Sequence, residues 1–369
     1  GVLCDAAAQS KLIALKKIRV ITVLISLQLL IFKILNSKSL YNRRMERDQK
    51  FDPQKLSLLI KPVKPSIKSL ILHQHSQAKY DYISGENPEA VYPDGRYAYS
   101  VEYDLTTGNS RILSLKTNTF CSAGSFFENG TLIESGGSEE EFGALNGSQA
   151  LRLFHPCDDS SCDWLEFPAY LDTARWYNTM VSLPDGRIFN IGGSTIGTPL
   201  NNASVNNPTY EFYPKTSKGV KFQFLVDTLP YNQYPAVFVL PGPPDQTWLY
   251  ISANKKALIW DYIKQEIVRT LPDIPGGPRT FPATGTIFLS PLHYEDNYAA
   301  EIIACGGSAE QKPDAKSDKD CARLNLAKPD SGWTLEPFGD FDTGRLMGDY
   351  IYMPDGKVLI VNGAGRGFA

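Results

Sequence analysis

Two side chains in this sequence have the types and the spacing to act together, the thiol of Cys121 and the phenol of Tyr177. Cys121 lies in Thr119-Phe120-Cys121-Ser122, eight residues before Asn129 of a Glu-Asn-Gly turn, and Tyr177 lies in Arg175-Trp176-Tyr177-Asn178, eight residues before Asp185 of a Pro-Asp-Gly turn. The two are 56 residues apart. If that interval is one structural repeat, they hold the same place in neighbouring units and set a thiol against a phenol. A buried cysteine beside an aromatic ring is also a common packing pair, so spacing alone leaves both a reactive pair and a plain core contact open. Arg175 and Tyr177, Arg279 and Phe281, and Arg345 and Met347 share a two-residue offset. A basic residue repeated at the start of inner strands could hold structure or line a mouth.

The elements that would position these residues repeat. Apolar runs end in Gly136-Gly137, Gly192-Gly193 and Gly306-Gly307, and Val358-Leu359-Ile360-Val361-Asn362-Gly363 keeps one glycine. Gly136, Gly192, Gly306 and Gly363 are separated by 56, 114 and 57 residues, and the member missing from the long gap falls at Tyr250-Ile251-Ser252. Tight-turn signals at Asn129-Gly130, Asp185-Gly186 and Asp355-Gly356 follow the same interval. Two features sharing one period favour stacked strand units over a chance recurrence of common turns in a sandwich. A lone hairpin cannot bury both faces, and units of about 50 residues are the size of kelch-type propeller blades. The expectation is an all-β, kelch-type β-propeller over 69–369, with five visible units and a sixth from near Leu70, a circle left incomplete within this chain. Nineteen Tyr, 29 Gly and 25 Pro against four Met agree with strands and turns.

Charge sets the N-terminus apart. Residues 1–68 hold 14 Lys or Arg against 4 Asp or Glu, leaving 23 against 36 in the rest of a chain of net charge −3. This near-neutral balance argues against a nucleic-acid partner. Lys11, Lys16, Lys17 and Arg19 precede the uncharged run Val20–Phe32, whose 13 residues suit a signal-peptide core better than a bilayer span of roughly 20. Residues 1–68 are therefore expected to be a basic segment with a signal or anchor helix and a linker. Such a segment places the protein outside the cell, secreted or membrane-anchored.

Of six cysteines, Cys157 with Cys162 and Cys305 with Cys321 flank polar stretches that short disulfides could staple. Sequons at Asn129, Asn146 and Asn202 suit the same oxidising compartment and a glycoprotein. No Cys/His spacing matches a zinc site, and His73 and His75 read more readily as ordinary histidines than as a ligand pair.

These segments resemble glyoxal oxidases, relatives of galactose oxidase among the copper radical oxidases. The resemblance rests on 97–104 (YAYSVEYD), 117–122 (TNTFCS), 171–177 (LDTARWY), 207–211 (NPTYE) and 303–307 (IACGG), and covers roughly 70–369. It implies a seven-bladed propeller with mononuclear copper near its axis, followed by a C-terminal β domain. It further implies a thioether between Cys121 and the ring of Tyr177, with the Tyr177 oxygen on copper. Sulfur on the ring would delocalise an unpaired electron, and copper with that tyrosyl radical would oxidise a small aldehyde to a carboxylic acid while O2 became hydrogen peroxide. The family's remaining ligands, a Tyr-His pair and a later His, match positions beyond Asn362-Gly363-Ala364-Gly365, and His293-Tyr294 has the reverse order. Tyr177 alone would then represent the copper ligands here, and this stretch alone would hold copper poorly. The contrasting expectation is a non-catalytic extracellular kelch propeller that binds cell-wall carbohydrate or a protein.

Overall fold

In a computed structural model the described residues are 69–73, a few positions between 92 and 98, and 100–367 apart from 105–106, 142, 158, 198–200, 243–245, 311, 313 and 337–343. The basic segment 1–68 and His75 lie outside them. No helix among the described residues is long and apolar enough to cross a membrane.

The described residues fall into two compact units, those of 69–114 with 351–359, and those of 115–350 with 360–367. In the first, β1 (Ser69–His73), β2 (Ser100–Asp104) and β3 (Ser110–Leu113) form an antiparallel sheet in chain order. The second unit contains four antiparallel sheets of four strands each. They are β4 (Ala123–Phe126) to β7 (Trp164–Phe167) through β5 (Leu132–Ser135) and β6 (Leu151–Phe154), and β8 (Thr179–Ser182) to β11 (Val220–Lys221) through β9 (Ile188–Ile191) and β10 (Thr209–Tyr213). The others are β12 (Ala236–Val239) to β15 (Glu266–Leu271) through β13 (Trp248–Ala253) and β14 (Lys256–Asp261), and β16 (Gly285–Leu289) to β19 (Thr334–Glu336) through β17 (Glu301–Gly306) and β18 (Cys321–Asn325). A last hairpin joins β20 (Asp349–Tyr352) to β21 (Val358–Val361). The one described α-helix, α1 (Gln223–Asp227), lies between the second and third sheets.

The first strands of successive sheets lie side by side, β4 by β8, β8 by β12 and β12 by β16. Sequentially wound four-stranded sheets with adjacent inner strands are propeller blades. Cross-blade hydrogen bonds recur on these strands, from Ser125 Oγ to Ser182 Oγ at 2.6 Å and from Thr179 Oγ1 to the Pro235 carbonyl at 2.8 Å.

Packing between blades explains the continuous apolar runs. β9 is buried at all four residues and β13 at five of six, because each sheet has a neighbour on both faces. Ile133, Leu151 and Leu153 of the first four-stranded sheet meet Met180 and Ile188 of the second. Phe189, Tyr210 and Phe212 meet Trp260, Leu249 and Ile251 of the third. Tyr250, Ile259 and Leu271 meet Ile287, Ile302 and Leu324 of the fourth. Each fully buried large side chain contributes roughly 1.5–3 kcal/mol.

The three tight turns are built alike. Gly130, Gly186 and Gly356 have φ of 86°, 86° and 81°. In each, the next residue's N–H donates to the preceding Asn129, Asp185 or Asp355 Oδ1, at 3.0, 3.0 and 3.1 Å. The glycine pairs serve a different need. A Cβ on Gly136 would sit 2.3 Å from the Arg175 carbonyl, so the chain arriving at the next blade passes too close for any side chain. Asn362 takes the first place of the fourth pair at φ 60°, a conformation Asn tolerates.

Both expected disulfides are formed, Cys157–Cys162 and Cys305–Cys321. The second joins directly paired residues of β17 and β18, closing the polar loop between those strands at its root.

Candidate functional site

A backbone ladder sits one or two residues before the inner strands. The Tyr177 N–H donates to the Cys121 carbonyl at 3.1 Å, Tyr234 to Tyr177 at 2.9 Å, and Met347 to Thr284 at 2.9 Å. These bonds establish Cys121, Tyr177 and Tyr234 as corresponding positions of consecutive blades. Cys121, Tyr177, Tyr234 and Met347 all have positive φ, at 57°, 63°, 49° and 55°. Non-glycine residues pay about 1–3 kcal/mol each for such backbone, which persists where the surroundings dictate it.

The side chains converge. Cys121, the free cysteine among the described residues, is half-buried and faces Trp176, Tyr177 and Tyr234. Burial pushes its thiol up, and the nearby polar hydrogens of Trp176, Tyr177 and Tyr234 work against that. Tyr177 is 7% exposed. Burial, then the neighbouring Cys121 sulfur, push its phenol well above the ordinary tyrosine range. Tyr234 is raised the same way by burial, by Cys121 and by Tyr177. At neutral pH both rings carry their protons.

Stacking fixes the plane of Tyr177. Its ring lies 5.2 Å from Trp176 at 10° and 4.7 Å from Phe281 at 20°, while Tyr234 meets it edge-on at 5.4 Å and 82°. Phe120 packs edge-on against Trp176 at 5.8 Å. Gly197 makes room for the indole, since a Cβ there would fall 1.6 Å from Trp176 Cζ3.

The repeated arginines hold structure. Arg175 is fully buried and bonds Glu211 Oε1 at 2.7 Å, the Gly192 and Thr209 carbonyls at 2.8 and 3.0 Å, and Thr209 Oγ1 at 2.8 Å. Arg279 bonds the Gly306 carbonyl and Asp318, and Arg345 the Asn362 carbonyl. Arg152 does the same for Gly136 at 2.8 Å. Each guanidinium thus caps the first residue of a glycine-pair corner. The shared offset of Phe281 and Tyr177 is not a shared register, for the ladder partner in that blade is Thr284 and Phe281 reaches Tyr177 from three residues earlier.

Tyr234 and Trp176 are site residues that the pattern reading passed over. Tyr234 stands 57 residues after Tyr177, so the period marks it. His293 and Tyr294 lie in an exposed loop between β16 and β17. Among the described residues no three His, Cys, Asp or Glu side chains gather as a metal site would require.

Residues 75–369 match the family model described as glyoxal oxidase N-terminus. The chain belongs to this family. It is 35% identical over 283 residues to the aldehyde oxidase GLOX of Vitis pseudoreticulata, spanning 73% of this chain and 49% of that protein. It is 31% identical over 284 residues to the aldehyde oxidase GLOX1 of Arabidopsis thaliana, spanning 73% and 43%. A solved fungal alcohol oxidase in complex with copper superposes with a TM-score of 0.46 at 20% identity, over 75% of this chain and 55% of that one. This member of the glyoxal oxidase N-terminal family thus spans about half the length of the curated relatives it matches.

Proposed function

We propose that the protein containing this chain is a copper radical oxidase of the glyoxal oxidase type, oxidising small aldehydes to carboxylic acids with O2 as electron acceptor. The observation that carries the reading is the contact of Cys121 with Tyr177 at corresponding places of adjacent blades.

In this reading Cys121 and Tyr177 become covalently joined. A bond forms between the sulfur and a ring carbon beside the phenol oxygen, the thiol and ring hydrogens leave as two protons, and two electrons pass to O2. The stacked Trp176 and Phe281 hold the ring plane while its edge meets the sulfur. Sulfur on the ring lowers the cost of removing an electron from Tyr177. Overall, hydrated aldehyde and O2 give acid and hydrogen peroxide.

The donors present fit one part of a copper centre. Tyr177 offers a phenol oxygen, whereas the imidazoles that copper(II) favours are not gathered among the described residues: His155 is bonded to Thr131 and His293 is exposed. Bound copper would supply one of the two oxidising equivalents that the aldehyde gives up electrons to. The two disulfides and the exposed Asn129, Asn146 and Asn202 support a secreted or outward-facing glycoprotein.

The test is peroxide release by the full-length, copper-loaded protein supplied with small aldehydes and O2, beside Cys121→Ser. Peroxide made by the parent and lost in the variant supports the reading. No peroxide from any aldehyde, with an unchanged fold, removes it in favour of a non-catalytic binding propeller.

A further inference from the structure

Three hairpins that begin on inner strands close on the same short turn. A backbone bond from Phe127 N–H to the Thr131 carbonyl at 2.9 Å, Leu183 to Arg187 at 2.8 Å, and Met353 to Lys357 at 2.8 Å encloses only 128–130, 184–186 and 354–356. The matching bond between β16 and β17, from Ser290 to Glu301 at 2.7 Å, encloses 291–300. The added residues build no core, for Leu292, Tyr294 and Tyr298 are 38%, 78% and 49% exposed. The loop is nonetheless fixed by its own bonds. The Tyr298 N–H donates to the His293 carbonyl at 2.8 Å, Asn297 N–H to the Tyr294 carbonyl at 3.0 Å, and Ala299 N–H to Asp296 Oδ1 at 3.2 Å. These bonds hold the Tyr294 and Tyr298 rings edge-on at 6.3 Å and 73°. Tyr298 keeps φ at 58°, a conformation costing about 1–3 kcal/mol that its half-exposed ring does little to offset.

We propose that this loop is a carbohydrate-binding site, with Tyr294 and Tyr298 stacking on the flat apolar faces of a neutral, β-linked pyranose chain. An exposed tyrosine presents an apolar face and a wet hydroxyl together, and a sugar ring needs both. Two rings and one leucine form too small an apolar patch for a stable protein partner. Glu295 and Asp296, exposed on the same turn, offer acceptors for sugar hydroxyls and repel an anionic polymer. The loop follows the end of β16 opposite its ladder residue Thr284, so the five residues of that strand, about 17 Å, separate a bound glycan from the ladder. Binding there leaves the Cys121–Tyr177 contact uncovered. The proposal does not depend on the oxidase reading.

The experiment is calorimetric titration of the full-length protein with cellohexaose, xylohexaose and chitohexaose, and with polygalacturonate as the anionic counterpart. A neutral probe should bind, and Tyr294→Ala and Tyr298→Ala should each weaken it about tenfold, as truncating an anchoring aromatic does. Tyr294→Phe keeps the ring face and should bind as the parent does. Replacing 291–300 with Pro-Asp-Gly, the turn between β8 and β9, should abolish binding while the unfolding midpoint and any peroxide release stay at parental values. Failure of the parent to bind any neutral probe overturns the proposal. So does a preference for polygalacturonate, undiminished binding when both tyrosines are alanine, or a Tyr294→Phe variant as weak as Tyr294→Ala. If the parent releases no peroxide yet binds a neutral probe through these two rings, the oxidase reading fails and the glycan site stands.

Discussion

The two ends of the same inner strands are built on opposite rules. At the turn ends of β4, β8 and β20, positive φ is given to Gly130, Gly186 and Gly356, and an Asn or Asp side chain caps the next N–H. At the other ends, positive φ falls on Cys121, Tyr177, Tyr234 and Met347, residues with no intrinsic preference for it. The turn ends are locally consistent; the inner ends hold strained backbone in place through the ladder and the buried arginines. The strained backbone lies where a thiol and two phenols converge, the place the proposed oxidase reading gives to the chemistry.

The sharpest way to break this contrast is at the inner pair. Under the proposed oxidase reading, in which the two act as a unit, Tyr177→Phe and Cys121→Ser should each lower peroxide production by the full-length protein at least about a thousandfold. A steady-state assay showing normal turnover in either would dissolve the distinction between the ends. Next in size is Arg175→Ala, which strands buried Glu211 and two carbonyls. Removing one partner of a buried pair should cost about 3–5 kcal/mol in denaturant unfolding. Gly136→Ala should follow at about 1–3 kcal/mol, since its φ is 78° and the new methyl would meet the Arg175 carbonyl. At a turn end, Asp185→Ala deletes one cap and an exposed ion pair with Arg187, and should cost only about 0.5–1.5 kcal/mol with activity intact. Equal losses at Gly136 and Asp185 would show that the two ends bear the same constraint.

The smallest effect is expected away from both ends. Burial works to raise the Asp172 carboxyl, but the Lys215 ammonium at 2.5 Å and the Gly219 N–H at 2.6 Å outweigh it and hold the carboxyl below the usual carboxylate range. A folded-state value below the unfolded one gives stability that is present above about pH 4 and lost as pH falls through the folded value. Asp172→Asn should therefore narrow the difference between unfolding midpoints at pH 7 and pH 3. An unaltered difference would show that the contact carries no linkage.

Much of the fold is legible in the chain because its signals are local and repeat. The Asn129, Asp185 and Asp355 turns, the Gly pairs and the two disulfides are each set by residues close in sequence or by a fixed interval. The Cys121–Tyr177 register follows from the same interval. Tyr234 is less conspicuous because its blade carries Ala253-Asn254 in place of the glycine pair, which leaves only the interval from Tyr177 to mark it. Phe281 reaches Tyr177 from a position that is not its counterpart, a contact no period encodes. The arginines grip backbone carbonyls, partners that leave no trace in residue types.

Peptide mapping of the full-length, copper-treated protein under non-cleaving conditions tests the central claim most directly. The account predicts one covalently joined species containing Cys121 and Tyr177, two hydrogens lighter than the sum of its peptides and resistant to thiol reductants. Quantitative recovery of Cys121 as an alkylatable thiol, with Tyr177 unmodified, would contradict it.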